Sequence, residues 1–283
     1  MGIVKKRRRE LPRGWYPDTA EDLKKTVEQW ERSIRSEPEL HGLAAIVPHA
    51  GWAFSGSLAY KTLRRLNRDV ETVVLVGGHL PAGSGLVAAY EDLFETPMGD
   101  IPGDSELLQA LSDQLALRED RRIDNTVEVQ LPFIPVLFPR AKLLWLRVGA
   151  SEEALELGRC LSGISEDLGR RINVVGSTDL THYGPNYNFT PHGSGEQARE
   201  WAQNVNDAAI IRAMLEMDAQ RVLELGNEKQ AACSAGAAAA VIEYASVRFC
   251  REGVLVGYDS SYSLHRDSSF VGYAGVLYSS ASS

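Results

Sequence analysis

The sequence lacks long apolar runs, linker-like segments and a closely spaced set of cysteines. No segment of the 283 residues approaches the ~18 consecutive apolar residues of a membrane span. No apolar stretch follows the basic N-terminus, so neither membrane insertion nor secretion is expected. Cys160, Cys233 and Cys250 are odd in number and far apart, which argues against a disulfide framework and suits a reducing cytoplasm. Because no Pro- or Ser-rich spacer interrupts the chain, we expect residues 1–283 to form a single domain.

Positive charge is in the minority. The 30 Lys and Arg residues face 38 Asp and Glu residues, and the net charge of −8 argues against a general nucleic-acid-binding surface. The exception is the basic run at residues 5–9. It could serve as a localisation tag or a nucleic-acid arm, but we favour a solvated, flexible N-terminus over about residues 1–12.

Short apolar runs alternate with helix-like segments along the chain. The apolar runs predict strands at residues 43–47, 71–78, 86–90, 142–148, 172–176, 254–258 and 270–278. Helical patterns are found at 20–34, 58–66, 105–117, 152–168, 196–217, 219–225 and 235–247. Continuous apolar runs are typical of parallel strands that are buried on both faces. The alternation predicts an α/β protein, a three-layer α/β/α sandwich with a mostly parallel or mixed central sheet.

Three of the six histidines follow predicted buried strands. His49 and His182 each come a few residues after a strand, and His79 comes directly after one. A single histidine at a strand end is typically a structural hydrogen-bonding residue. Three such positions favour a site, because the carboxyl ends of strands in an open α/β sheet meet at one crevice. His41 and His265 lack this context and are interpreted as surface residues.

Two further side chains could complete such a site. Asp179 precedes His182 by three residues, so on a helical turn its carboxylate could orient the imidazole. A helix-capping role for Asp179 is equally consistent with the spacing. Cys233 precedes a predicted helix, a position that favours the thiolate, although a buried inert thiol is the alternative. The pattern indicates a metal site with two histidines and a third ligand.

Other residues are candidates for supporting the ligands or for contacting a substrate. Glu128 and Gln130 could orient metal ligands from behind, or Glu128 could simply cap a helix. The loop at residues 185–195 is rich in Gly, Pro, Asn and aromatic residues and is a candidate lid. His192 lies within it and Tyr183 directly before it. Trp52, in the loop after His49, is a further candidate for supporting the ligands or contacting a substrate.

These segments resemble the Memo family (mediator of ErbB2-driven cell motility), also called AmmeMemoRadiSam system protein B in microbes. The matching segments cover nearly the whole chain in the same order. They are residues 13–17, 47–51, 54–56, 77–79, 128–133 and 177–184, Cys233, and residues 271–273.

The resemblance implies a fold similar to that of the class III extradiol dioxygenases, which hold Fe(II) with two His and one Glu. In Memo-like proteins a Cys replaces the Glu, so the resemblance implies His49, His79 and Cys233 as metal ligands. It places His182 where the dioxygenases keep an acid/base histidine, with Asp179 beside it. Fe(II) is the first candidate metal. Cu and Zn are further candidates, because a thiolate makes the ligand set softer.

The chain departs from the family pattern near its middle. Family members usually carry Glu-His-Ser where this sequence has Asp124, Asn125 and Thr126. Asn125 cannot carry a proton, so the role of that histidine is lost or taken by another residue. Ser234 stands in place of the usual glycine after the cysteine.

Three functions remain open from the sequence. The first is an O₂-dependent oxidoreductase of dioxygenase type, acting on an unknown chelating small molecule with His182 as proton carrier. The second is a metal-binding protein whose crevice recognises a peptide or partner without turnover. The third is a zinc hydrolase with His182 or Glu128 as base.

Overall fold

The computed structural model describes residues 4–34 and 41–280 of the chain. The strands are β1 (Lys6–Arg7), β2 (Ala44–Val47), β3 (Thr72–Gly77), β4 (Leu86–Ala88), β5 (Leu93–Thr96), β6 (Gly99–Pro102), β7 (Leu117–Glu119), β8 (Lys142–Arg147), β9 (Ile172–Ser177), β10 (His182–Tyr183), β11 (Cys250–Ser260) and β12 (Phe270–Ser280). The helices are α1 (Ala20–Ser33), α2 (Ser57–Leu63), α3 (Ser105–Ser112), α4 (Asn125–Glu128), α5 (Ile134–Leu137), α6 (Glu152–Asp167), α7 (Glu196–Trp201), α8 (Ala208–Leu215), α9 (Ala219–Lys229), α10 (Ala235–Val247) and α11 (Ser261–Leu264). Single π-helical turns, Trp52–Gly56 and Ala202–Asp207, precede α2 and α8.

The central sheet is mixed. Its strand order in the described part of the chain is β10-β12-β2-β9-β3-β8-β4-β7, and β11 pairs with β12 off this path. The four central strands β2, β9, β3 and β8 run parallel to one another. Strand β12 is antiparallel to β2, and β4 is antiparallel to β8. The carboxyl ends of the four central strands therefore lie along one edge.

Alternate residues of the central strands face two different cores. In β3, Val74 and Val76 pack into a core shared with α6, α9 and α10, whereas Val73 and Leu75 pack into one shared with α1, α2 and α5. The alternation follows from the two-residue period of a strand, whose successive side chains point to opposite faces. The predicted three-layer α/β/α sandwich with a mixed central sheet is thereby confirmed.

Helix α10 lies close against the sheet because small residues meet there. A Cβ on Gly176 of β9 would lie 2.7 Å from the carbonyl oxygen of Ala237 in α10. The predicted bounds of this alanine-rich helix, 235–247, agree with the structure. Within residues 4–34 and 41–280, no helix combines the length and apolar character that crossing a membrane requires.

Besides β1 and β10, which are two residues long, the sequence analysis missed three short strands. Strands β5 and β6 form a hairpin in which Thr96 pairs with Gly99. Strand β7 begins at Leu117, the last residue of the predicted helix 105–117, whereas α3 ends at Ser112. These segments are three or four residues long and carry no continuous apolar run. Their strand conformation depends on pairing partners that are distant in sequence, which local patterns do not report.

The basic N-terminal run differs from the flexible segment that we expected. Strand β1 pairs in parallel with β5, and Arg7 is only 8% exposed. The Arg7 guanidinium donates to the carbonyl oxygens of Asp120 (2.7 Å) and Arg122 (2.9 Å) and lies over the Trp145 ring. The reason is local charge complementarity, since the other basic residues of the run also face acidic side chains, such as Asp100, 2.7 Å from Lys6. Residues 1–3 lie outside the described residues.

Candidate metal centre

Three potential metal ligands meet at the carboxyl edge of the sheet. His49 follows β2, His79 follows β3, and Cys233 precedes α10. One ligand atom of each lies within 4.8 Å of the other two, and Cys233 Sγ is 3.1 Å from His49 Nε2. The convergence follows from the strand order, because β2 and β3 both flank β9 and end at the same edge.

The His79 ring is held from behind by a buried network of charges. Its Nδ1 lies 3.2 Å from Asp124 Oδ2, and Asp124 in turn lies 3.1 Å from Arg147 Nη1. Arg147 forms a two-pronged ion pair with Asp120, with both N–O distances at 2.8 Å. With Nδ1 engaged by Asp124, Nε2 remains for a metal ion, the arrangement found in carboxylate–histidine–metal sites.

The backbone of His79 is strained. Its φ of +55° lies in the left-handed region, which is uncommon for residues other than glycine. The turn is held by Thr126 Oγ1, which accepts from the backbone N–H of Gly78, and by Arg147, which donates to the Gly78 carbonyl. Strain of this kind persists only where surrounding contacts fix it, and it clusters at functional sites.

His49 is almost fully buried and is oriented by a second set of contacts. Its Nδ1 lies 3.3 Å from Ser177 Oγ, and the Gln130 side chain donates to that same oxygen at 3.1 Å. Gln130 also donates to the Pro48 carbonyl at 2.7 Å. Gln130 therefore lies behind His49, the position for which the sequence suggested it.

The three side chains form a charge-coupled group. Burial raises the pKa of Cys233, but His49 and His79 outweigh it and hold that pKa well below its usual value. Burial lowers the pKa of His79, whereas hydrogen bonds to Asp124 and Cys233 raise it to about 10. Burial likewise lowers the pKa of His49, and Cys233 and Asp179 raise it overall. The group therefore favours a thiolate, the form in which cysteine binds metals.

Asp179 supports His49 rather than orienting His182. The chain between β9 and β10 forms no helix, so the shared helical face that we considered does not exist. Asp179 Oδ1 accepts from the backbone N–H of His49 at 2.7 Å. His182 Nδ1 instead lies 3.1 Å from the Leu180 carbonyl oxygen. The bonding partners of these two residues are thus different from those expected.

A cleft of about 680 Å³ opens over the two imidazoles and His182. Asn125, at the position where the family usually carries a histidine, lines this cleft. Its Nδ2 donates to the His49 carbonyl oxygen at 3.1 Å, so the side chain supports the backbone of His49. The cleft also contains residues that the sequence analysis had not selected as site residues: Arg13, Phe54, Tyr187, Ser261, His265, Asp267 and Tyr273. His265 is exposed, as expected, yet it faces the cleft. No local sequence pattern pointed to His265, because α11 and the following loop are placed by tertiary contacts.

Glu128 and Trp52 lie away from the cluster. The Glu128 carboxylate accepts from the backbone N–H groups of Glu10 and Leu11 and from the Tyr16 hydroxyl at 2.9 to 3.1 Å. The Glu128 carboxylate therefore anchors the N-terminal segment, and these hydrogen bonds involve none of the three candidate metal ligands. Trp52 is stacked on Phe133 at 4.1 Å and donates to a backbone carbonyl, which makes it part of the core.

Tyr183 and His192 also lie outside the cleft. Tyr183 is fully buried, and its hydroxyl donates to the Gly193 carbonyl and accepts from the His192 backbone N–H. The His192 ring packs on Trp201 at 4.2 Å. Both residues fix the loop at 185–195, and Tyr187 is the member of that loop that reaches the cleft and contacts the His182 ring edge-on.

We expect Gly78→Ala to disturb the cluster. An added Cβ would lie 2.4 Å from Ser234 Cβ and 2.9 Å from Ser234 Cα, so the residue after Cys233 must move. Overpacking of this kind costs about 1–3 kcal/mol of stability. Urea unfolding and metal titration measure the two effects. The matched control is Gly163→Ala in α6, where nothing lies near the new Cβ and a gain of about 0.5–1 kcal/mol is expected. Equal stability and metal affinity in Gly78→Ala and wild type would contradict this packing.

Comparisons with known proteins show the family of this chain. The family model described as "Memo-like protein" matches residues 7–277. A MEMO1 family protein of Pyrococcus abyssi is 30% identical over 93% of this chain and 96% of its own length. One of Archaeoglobus fulgidus is 29% identical over the same shares. An uncharacterized protein of Escherichia coli K12 has a similar fold, with a TM-score of 0.51 at 14% identity, and the match covers 82% of this chain and 98% of that one. With nearly all of its length matched, this chain belongs to the Memo-like protein family.

Proposed function

We propose that this protein is a metal-dependent oxidoreductase that holds Fe(II) with His49, His79 and Cys233 and acts with O₂ on a small chelating substrate. The observation that carries the proposal is the convergence of the three ligand atoms, within 4.8 Å, beneath a cleft that also contains His182. Two histidines and a third ligand with open positions are typical of non-haem iron oxygenases.

The donor atoms fit a single ion. Bonds of about 2.0–2.3 Å to nitrogen and sulfur place ligands of one ion roughly 3 to 4.6 Å apart, and the three atoms are close to that range. The hydrogen bonds at Nδ1 of both histidines leave Nε2 of each available. The thiolate makes the set softer than two His and a carboxylate, so Cu(I) and Zn(II) are competing ions.

When bound, the iron would supply electrons for reduction of O₂ and open coordination positions for the substrate. His182 supplies the proton transfer. Its Nδ1 donates to the Leu180 carbonyl, which fixes the tautomer with a free Nε2, and the ring faces the cleft beside Tyr187. A histidine in this state can accept a proton at Nε2 and return it later in the reaction.

The cleft walls favour a polar substrate. Arg13, His265 and Asp267 bring charged or titratable groups to the cleft, and Tyr273 adds a hydroxyl-bearing ring. Asp179, which accepts from the His49 N–H, adds a carboxylate to the lining of the cleft. These groups suit a small molecule with several oxygen or nitrogen atoms better than a purely apolar one.

The experiment that tests this function is oxygen consumption by the anaerobically Fe(II)-loaded protein with a panel of chelating substrates. We expect His182→Ala to lower turnover by about 100-fold, at the low end of the effect of a general acid–base group, while iron content stays unchanged. The matched control is His41→Ala, because that residue is exposed and is not among the described residues that line the cleft, so its loss should leave turnover within twofold of wild type. Full activity in His182→Ala would remove it from the mechanism.

A second candidate function is recognition of a peptide or partner by the metal-containing cleft without turnover. Two exposed aromatic side chains on the cleft wall support it, Phe54 at 46% and Tyr187 at 42% exposed, because large exposed rings are typical of binding surfaces. Absence of oxygen consumption with every chelating substrate, together with stoichiometric iron, would favour this function over the first.

A further inference from the structure

A second, smaller cavity reaches the cluster from the other side. It has a volume of about 200 Å³ and is lined by both His79 and Cys233. The main cleft contains His49 and His79 in its lining, but Cys233 is not among the described residues that line it. Cys233 is nonetheless partly exposed to solvent. The accessible part of Cys233 therefore faces the second cavity, and His79 lines both spaces.

The two cavities differ in chemistry. Arg13, Asp179 and Asp267 line the main cleft, whereas the described lining of the second cavity has no Lys, Arg, Asp or Glu side chain. The buried residues in its lining are Val148, Ala232, Ser234 and Ala235, of which only Ser234 has a polar side chain. Apart from His79 and Cys233 of the cluster itself, this lining offers a charged or large substrate no ionisable side chain to offset the loss of its hydration.

The outer rim of the second cavity is exposed and its shape is fixed. Pro81 and Ala82 belong to a tight turn closed by the hydrogen bond from the Ser84 N–H to the Pro81 carbonyl. On the opposite side Asn227 donates to the Ala150 carbonyl at 3.0 Å, which ties the end of α9 to the loop before α6. The opening is thus held between two fixed segments and does not depend on a moving lid.

We propose that this second cavity is the entry for a small uncharged ligand, of the size of dioxygen, to the Cys233 side of the metal site. The polar substrate enters by the main cleft, so neither molecule has to pass the other. The proposal rests on the proposed oxidoreductase function for the identity of the ligand, but the route itself is a property of the fold and can be tested without metal.

The first test is alkylation of Cys233 by iodoacetamide in the metal-free protein, in which the sulfur displaces iodide. Peptide mass spectrometry follows Cys233 separately from Cys160 and Cys250. We expect Ala150→Leu, which adds bulk to the second cavity, to slow modification at least tenfold. The matched control, Ala50→Leu, adds the same bulk to the main cleft and should change the rate less than twofold. Ala82→Phe at the exposed rim repeats the test should Ala150→Leu fail to fold.

The alkylation rates decide the route. Slower modification in Ala50→Leu than in Ala150→Leu would show that the thiol is reached from the main cleft, and equal rates in all variants would also overturn the proposal.

The second test is the rate at which nitric oxide, an uncharged diatomic probe, binds the Fe(II)-loaded protein. We expect Ala150→Leu to slow it at least tenfold, and an unchanged rate would overturn the assignment of the ligand. A protein that takes up no iron but shows the expected alkylation pattern would refute the proposed function and leave the route intact.

Discussion

Cys233→Ser is expected to purify without stoichiometric metal under anaerobic conditions in which the wild-type protein retains it. Serine keeps the size of the side chain but replaces a thiolate with a hydroxyl, which is a poor ligand for iron, copper or zinc at neutral pH. Loss of a residue that only supports a ligand typically costs 10–100-fold in affinity, so loss of the ligand itself should cost more. His49→Ala should have the same result, because it removes a buried nitrogen 3.1 Å from the sulfur.

The measurement is metal content by mass spectrometry, followed by titration of the metal-free protein with Fe(II), Cu(I) and Zn(II). Cys160→Ser is the matched control. Cys160 lies within α6, which covers one face of the sheet, and its substitution should not alter the metal content. Bound metal should also raise the free energy of unfolding of wild type by about 2.7 kcal/mol at 100 times Kd, and leave that of Cys233→Ser unchanged. Wild-type metal content in both ligand variants would refute the assignment.

Asp120→Ala is expected to lower the free energy of unfolding by about 3 kcal/mol, the low end of the cost of breaking a buried ion pair, because Arg147 keeps Asp124 as a second partner. The Asp120 and Arg147 side chains are 1% and 2% exposed, and Asp120 also accepts from the Trp145 indole at 2.9 Å. Burial raises the pKa of Asp120, but Arg147 outweighs it, so the carboxylate is charged in the folded protein. Its removal leaves the Arg147 charge and the Trp145 N–H without this acceptor.

Urea unfolding measures this loss, and Arg159→Ala provides the comparison. Arg159 pairs with Glu152 and Glu243 at the surface and is 46% exposed, so its removal should cost no more than about 1 kcal/mol. Because Arg147 also contacts Asp124, which holds His79, metal affinity should fall in Asp120→Ala as well. Similar losses in the two variants would show that the Asp120–Arg147 pair has no special role.

The sequence by itself determined the layers of the fold, and it predicted where candidate metal ligands lie along the chain. Apolar runs such as 72–77 supply apolar side chains to both faces of the sheet. They can therefore be identified as buried strands without knowing which strands lie beside them. The same holds for α10, whose alanines favour a helix in any context. His49 and His79 each follow such a strand, so the rule that strand ends gather ligands was sufficient to group them.

Only the tertiary structure decided what lies around those ligands. The order β2-β9-β3 places both histidines beside the extended segment that carries Asp179, and it gives Asp179 the His49 N–H as its partner. Glu128 binds the N-terminal segment, and Arg7 is buried against Asp120, although the local sequence suggested a metal-supporting residue and a flexible tail. The physical reason is that a hydrogen bond or ion pair depends on which groups the fold brings within about 3 Å. For these residues the partners lie more than 100 positions away in the chain, where local pattern carries no information.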